Sequence, residues 1–192
     1  MRICFATNNK NKLREIMEKL GKAYDIISLS DLKHFEELTE SHDTLEENSL
    51  EKAQFIYDTY KVNCFADDTG LLVDALDNDP GVNSARYAGP DKNSQDNMAL
   101  LLKNLSGIKN RKAKFVTIIT LILDGITHQF RGEVAGRIAE HASGAHGFGY
   151  DPIFIPDGWP CTFADLDLSQ KNKISHRAIA IEKLVDFLKT KS

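Results

Sequence analysis

The chain has 192 residues, which suits one domain, or one domain divided into two lobes, and is long enough to bury a core without disulfides or metal staples. Its hydrophobic fraction of 42% and charged fraction of 27% are those of a soluble globular protein. A formal charge of -4 excludes a broad basic footprint for nucleic acid or an anionic membrane, while leaving room for a local phosphate pocket.

Three scattered cysteines, Cys4, Cys64 and Cys161, form no Cys-x-x-Cys and read as reduced core residues, neither a disulfide framework nor a zinc site. No leader pattern is visible and no apolar run approaches a membrane span, so a cytoplasmic location is expected.

Residues 2 to 6 read as a short apolar strand followed by a polar turn. Over residues 11 to 20 the spacing of Leu13, Ile16, Met17 and Leu20 predicts the apolar face of a helix, with Gly21 placed to close it. Residues 24 to 29 read as a second strand, an α/β beginning. Residues 30 to 44 are loop-like. Thr44 and Glu47 fit a capping box for a helix through residue 61, with Leu50, Ala53, Tyr57 and Tyr60 on one side. Residues 62 to 66 read as a strand leading into Asp67-Asp68-Thr69-Gly70, and residues 71 to 76 as a further apolar run. Gly, Pro, Asn and Asp between residues 78 and 91 mark a long loop. Met98, Leu101, Leu102 and Leu105 predict a helix over residues 93 to 105. Residues 114 to 123 are apolar on both faces, as in a central strand. Asp124-Gly125 is a strong hairpin signal, with residues 126 to 138 as the returning strand. A Gly-rich loop spans residues 144 to 151, and a last helix is expected from about residue 175 to 189. A single α/β unit with a mixed sheet accommodates these elements.

Thr7-Asn8-Asn9-Lys10-Asn11-Lys12 joins a strand to a helix, where backbone amides and a first-turn lysine favour an anion. The same residues also make an ordinary polar turn with an Asn N-cap. Asp67 and Asp68 follow an apolar run, and continued strand geometry would send them to opposite faces. A carboxylate there suits a hard cation or the deprotonation of a water, although Asp-Asp-Thr-Gly is equally good β-turn chemistry. A second carboxylate is on offer from Glu40, Glu46 or Glu47. The capping box explains Glu47, whereas Glu40 has no evident structural duty. The glycines of Gly147-Phe148-Gly149-Tyr150-Asp151-Pro152 let a planar base approach Phe148, with Asp151 able to accept from ring or sugar donors. This segment is neither a dinucleotide fingerprint nor a Walker loop, and an ordinary tight loop is the competing reading. Lys171, Lys173, His176 and Arg177 put cations at the start of the last helix, an unfavourable place unless an anion or an oxo-substituted base binds there. Ser175 alone would serve as an N-cap. His141 and His146 lack metal-ligand spacing.

Taken together, these segments resemble the inosine triphosphate pyrophosphatase family, whose members are also called dITP/XTP pyrophosphatases. The matching pieces run in family order from end to end: Phe5 to Asn9 with Lys12, Glu47-Asn48 with Lys52-Ala53, Ala66 to Leu71, Pro80 to Tyr87, Gly147 to Pro152, and Lys171 with Ile174 to Arg177. The resemblance implies an α/β fold with an elongated central mixed β-sheet flanked by helices, two lobes around a nucleotide-binding cleft, and a homodimer. It implies hydrolysis of dITP, ITP and XTP to the monophosphate and pyrophosphate, with Mg2+ as cofactor, keeping these nucleotides out of DNA and RNA. On that pattern Asp68 is the proton acceptor and a magnesium ligand, and Glu40 is the other metal carboxylate. Thr7, Asn8, Asn9, Lys10, Asn11, Lys12 and Thr69 would hold the phosphates. Phe148, Gly149, Tyr150, Asp151, Lys171, His176 and Arg177 would form the base and nucleotide pocket, where His176 or Arg177 donates to the C6 oxygen that adenine lacks. Two other readings compete. The Ser-His-Arg segment and the Gly-Phe-Gly-Tyr-Asp loop speak against a Maf-type nucleotide pyrophosphatase, and the set Asp68, Lys12 and Glu40 against a non-catalytic nucleotide-binding sensor. A nucleic-acid-binding module is disfavoured by the negative charge.

Overall fold

Arg2–Phe5 forms strand β1, in which Ile3, Cys4 and Phe5 are all fully buried, as a strand covered on both faces requires. In the computed structural model, which describes residues 1–20 and 24–191, helix α1 (Lys10–Leu20) and strand β2 (Asp25–Ser28) follow. The closing role expected of Gly21 lies outside the described residues. Next come α2 (Leu45–Tyr60), β3 (Cys64–Val73), the short β4 (Pro80–Gly81), α3 (Ser94–Asn104), β5 (Lys112–Leu123) and β6 (Ile126–Ile138). The chain ends with β7 (Phe154–Pro156), α4 (Leu168–Ile174) and α5 (His176–Lys189). Pairing is parallel between β1 and both β2 and β3, and antiparallel between β3 and β4 and between β6 and β7, which makes the expected mixed sheet. Among the described residues no helix is long and apolar enough to cross a membrane.

The chain folds as two compact units, and β3, β5 and β6 each continue from one into the other. The first comprises Met1–Asp68, Thr117–Gly132 and the residues from Arg177 on, with strand order β2-β1-β3-β5-β6. Side chains alternate across its sheet. Phe5 stacks on its register partner Phe65 with ring centroids 4.7 Å apart, and this face packs on Ile16 and Leu20 of α1 and on Ile181 and Leu184 of α5. On the other face Cys4, Ala6, Cys64 and Ala66 meet Ala53 and Ile56 of α2. Burial pushes the Cys4 and Cys64 thiols up to about 12, so both remain protonated core residues. The hairpin signal is realised: Asp124 and Gly125 both take positive φ, 50° and 82°, which lets a tight turn follow the twist of β5 and β6.

The second unit comprises Thr69–Val116 and Glu133–His176. Its core gathers Leu71, Met98, Leu101, Phe115, Phe154 and Phe163. Phe154 lies 4.7 Å from Phe115 and 5.2 Å from Phe163 by ring centroids, tilted arrangements that suit aromatic quadrupoles.

Local patterns are overridden at three places, and one helix lies where none was expected. β3 runs unbroken through Asp67-Asp68-Thr69-Gly70, so these residues are strand and not a β-turn. Met17, expected on the core face of α1, is 42% exposed, and Glu15 is buried because Arg177 partners it. In α2 the buried stripe is Asn48, Ser49, Lys52, Ala53 and Ile56, while Leu50, Tyr57 and Tyr60 are only half-buried. Polar groups are tolerated there because they are matched: Ser49 Oγ meets Thr120 Oγ1 at 2.6 Å, and Lys52 meets a carboxylate. Residues 168–174 form a separate helix, α4, opened by a capping box between Asp167 and Gln170.

Candidate active site

The turn between β1 and α1 is held by its own side chains. Thr7 Oγ1 accepts from the Asn9 amide at 3.2 Å, and Asn9 Oδ1 accepts from the amides of Asn11 and Lys12 at 3.0 and 3.1 Å, so Asn9 is a working N-cap. Asn8 Nδ2 donates to the Glu36 carbonyl at 2.8 Å, tying the turn to the loop that carries Glu40. Asn8, Asn9, Lys10 and Asn11 are exposed. Lys12 turns inward, with Nζ 3.0 Å from Asp67 Oδ2.

The pleat of β3 sends the two aspartates to opposite faces, as anticipated. Asp67 shares the face of Phe65. There it accepts from Lys12 and from Arg177 Nε, the latter at 3.2 Å, while Arg177 Nη1 donates to Glu15. Burial alone would raise the Asp67 carboxyl; Lys12, Arg177 and Lys52 outweigh it and hold the group well below the usual carboxylate range.

Asp68 shares the face of Cys64 and Ala66, against α2. Its Oδ1 lies 3.5 Å from Lys52 Nζ, which sits 2.5 Å from Glu40 Oε1. Burial pushes Asp68 up from its ordinary value, and the pull of Lys52 and Lys12 does not cancel that. Burial would lower Lys52, but Asp68 and Glu40 outweigh it and hold the ammonium above its usual range. One aspartate is thus a fixed anion and its neighbour a carboxylate nearer neutrality, the kind of divergence that marks acid–base sites.

Glu47 stays with the helix cap, its amide donating to Thr44 Oγ1 at 3.2 Å and its carboxylate accepting from the Thr44 hydroxyl at 2.8 Å. Glu46 pairs with Arg131 at 3.2 Å. Of the three glutamates, Glu40 is the one that converges with Asp68 on a single cationic point. The described residues hold no group of three or more His, Cys, Asp or Glu that would cage a metal alone. Magnesium needs no such cage, since it takes one or two protein carboxylates and completes its shell with water and substrate phosphate. Two hard oxygen donors gathered around one positive charge fit that ion.

In the second unit Gly147 and Gly149, at φ 75° and 62°, fold the loop back on Asp151. Asp151 Oδ2 accepts from the Phe148 amide and from Lys171 Nζ, both at 2.7 Å, and Lys171 Nζ also lies 4.8 Å from the Phe148 ring centroid. Asp151 and Lys171 are buried, so this carboxylate shapes the loop that presents Phe148. Tyr150 donates from its hydroxyl to the Ser84 carbonyl at 2.9 Å. His176 stacks on Phe115 with centroids 4.5 Å apart. A Cβ on Gly147 would meet Asp151 Oδ2 at 2.2 Å on a backbone that L-residues avoid. Gly147→Ala should therefore destabilise by about 1 kcal/mol or more, measured as a lower urea midpoint.

The cations expected at a helix start are distributed otherwise. Lys171 and Lys173 lie in the last turn of α4, where carbonyls favour positive charge, and Ser175 is the C-cap of that helix as well as the extended residue that immediately precedes α5. His176 and Arg177 do begin α5, but Glu15 and Asp67 neutralise Arg177, so no bound anion is required to balance it. Lys171 and His176 belong to the second unit and Arg177 to the first. Glu15 and Lys52 carry much of this charge network without having stood out as functional residues. Glu15 lies off the apolar stripe of Leu13, Ile16, Met17 and Leu20, so helical periodicity gave no sign of it.

The sequence profile of the Ham1 family matches residues 3–187. This chain belongs to the Ham1 family. A dITP/XTP pyrophosphatase of Flavobacterium johnsoniae is 50% identical over 188 residues, covering 98% of each chain. One from Porphyromonas gingivalis is 48% identical and covers 97% of each. The structures of the Ham1 proteins of Staphylococcus aureus and Coxiella burnetii match the whole chain over their own whole length, with TM-scores of 0.91 and identities of 37% and 33%. Membership of the Ham1 family and its shared fold meet the expectation raised by the ordered motifs.

Proposed function

We propose that this Ham1-family chain hydrolyses the non-canonical purine nucleoside triphosphates dITP, ITP and XTP to the monophosphate and pyrophosphate, with residues 1–192 acting as one catalytic domain. Close relatives along the full length bear the name dITP/XTP pyrophosphatase. The observation that carries the reading is the convergence of Glu40 and Asp68 on one cationic point, with the charge of Lys12 also acting on Asp68.

Glu40 and Asp68 would hold Mg2+, which when bound supplies positive charge to the phosphate oxygens and the leaving pyrophosphate. Asp68, pushed towards neutrality by burial, accepts the proton of the water that attacks the α-phosphorus. Lys12 and Lys52 add fixed positive charge, and Thr7, Asn8, Asn9, Lys10, Asn11 and Thr69 contact the phosphates. Phe148 to Asp151 and Lys171 shape the base loop. His176 and Arg177 donate to the C6 oxygen of hypoxanthine or xanthine, and Glu15 and Asp67 fix the direction of Arg177. Adenine presents an amino group at that position and leaves those donors unmatched. The buried thiols of Cys4 and Cys64 suit a reducing cytoplasm, and the family resemblance supports a homodimer.

A panel of dITP, ITP, XTP, GTP, ATP, CTP and UTP tests this, with pyrophosphate and orthophosphate measured separately. Pyrophosphate should be the sole primary product, the three non-canonical purines should be fastest, and chelation should abolish turnover until Mg2+ is restored. Orthophosphate as primary product overturns attack at the α-phosphorus. Equal rates across the panel overturn the assigned selectivity.

A further inference from the structure

Glu40 lies in a segment between β2 and α2 that contains neither helix nor strand. The end of that segment nevertheless runs along α2 in a regular order. Glu40 Oε1 accepts from Lys52 Nζ at 2.5 Å. Ser41 donates through its amide and its hydroxyl, at 3.0 and 2.9 Å, to the two oxygens of the Glu51 carboxylate. The His42 amide donates to Asn48 Oδ1 at 2.9 Å, and the His42 carbonyl accepts from Asn48 Nδ2 at 3.1 Å. Asn48, Glu51 and Lys52 are spaced i, i+3 and i+4 and share one face of the helix. Three consecutive loop residues are therefore each held by a residue of one helical stripe.

Asn48 is the deepest of these contacts, at 2% exposure, whereas Ser41 and His42 are exposed. A carboxamide presents one acceptor and a donor side by side, which a peptide unit can match at two points; Asp of the same shape has no donor. The start of α2 does not need this clamp, because Thr44 already caps it. What the clamp does restrict is the backbone next to Glu40. A carboxylate on a free loop would lose that freedom each time it bound a cation, and an outer shell that fixes it in advance removes the cost.

We infer that Asn48 is a positioning residue for the Glu40 carboxylate, fixing His42 while Glu51 fixes Ser41, so that Glu40 stands ready with Asp68 at the divalent-cation position. This rests on the reading of Glu40 as a metal carboxylate.

The test is Mn2+ binding, followed by loss of the free-ion electron paramagnetic resonance signal. The protein is held with an ITP analogue carrying a methylene between the α- and β-phosphorus atoms. Asn48→Ala should weaken Mn2+ about tenfold, the usual effect of losing an outer-shell partner. Glu51→Ala should weaken it severalfold, and Glu51→Gln, which keeps an acceptor for the Ser41 amide, should stay near the parent protein. Affinity for the analogue without metal should be unchanged throughout. Glu40→Gln sets the reference by losing Mn2+ affinity directly. Parental Mn2+ affinity in Asn48→Ala and Glu51→Ala, beside a weakened Glu40→Gln, overturns the inference and leaves the metal reading intact, even if the melting temperature falls. Parental affinity in Glu40→Gln overturns the metal reading and the inference with it. Should Asn48→Ala fail to fold, Glu51→Ala at its half-buried position decides the question alone.

Discussion

Asp68→Asn should lower kcat by about a thousandfold while shifting nucleotide affinity in the absence of metal by no more than about threefold, because a general base acts on the transition state and not on ground-state binding. Steady-state turnover and calorimetric binding of a non-hydrolysable analogue measure the two separately. Near-normal turnover would remove Asp68 from the proton-transfer role. The same substitution should leave the metal-free protein more stable at neutral pH. Burial raises the Asp68 carboxyl in the folded state, so between the ordinary carboxylate value and the raised one the folded protein binds the proton more readily than the unfolded chain. Stability then falls as pH rises through that window, and above it the folded state bears a poorly solvated charge that Asn does not carry. Melting curves in chelator should show the advantage of Asp68→Asn growing from acid to neutral pH and vanishing where both side chains are uncharged. A lower melting temperature at neutral pH would mean that pairing with Lys52 outweighs burial.

Glu15→Ala should cost about 3 kcal/mol or more, since it removes one of two carboxylates from a guanidinium that is 2% exposed. Glu15→Gln keeps the shape and one acceptor and should cost less. Replacing Glu15 and Arg177 together by apolar residues should recover part of the loss, because no unmatched charge is then buried. Urea unfolding gives all three values, and a loss below about 1 kcal/mol for Glu15→Ala would show the pair to be only a surface-strength interaction. Acid should expose the same network. Asp67 is held well below the usual range, so its contribution is complete above the unfolded carboxylate value of about 3.9 and is lost as pH falls below it through the lower folded value.

How far the chain could be read from its residues depended on where the stabilising partner lay. β5, the Asp124-Gly125 turn and β6 were readable because their pattern is local: an apolar run, a turn pair that tolerates positive φ, and alternation. The continuity of β3 was not. Two adjacent aspartates look like turn chemistry, and they are strand only because Lys12, Lys52 and Arg177 supply the cations. Those residues lie on three different helices. Glu15 and Met17 exchanged places for the same reason, since periodicity ranks side chains by hydropathy and cannot see an arginine more than 160 residues away. α4 has few apolar positions to announce it, yet its Asp167–Gln170 capping box stood in the sequence and would have placed its start. Within the candidate site, Asp68 and Lys12 stood in the ordered motifs, whereas Glu40 stood out only as a loop glutamate with no structural duty. Lys52 stood in those motifs without an assigned role, and its charge became interpretable only once both carboxylates were seen beside it.

The alternation of β3 makes two identical letters non-interchangeable. Asp67 and Asp68 are neighbours along the backbone, yet one faces Lys12 of α1 and Arg177 of α5 and the other faces Lys52 of α2. A variant lacking Asp68 therefore has no spare carboxylate next door, because reaching the other face would require rotating the strand and burying Phe65 where Ala66 now sits. With Cys64 held in place, deleting a single residue between it and Asp68 would carry Asp68 to the face of Lys12 and Arg177 and leave Thr69 opposite Lys52, so the proton acceptor would be lost. Within this stretch of strand the count of residues, and not only their identity, sets which side chain faces α2.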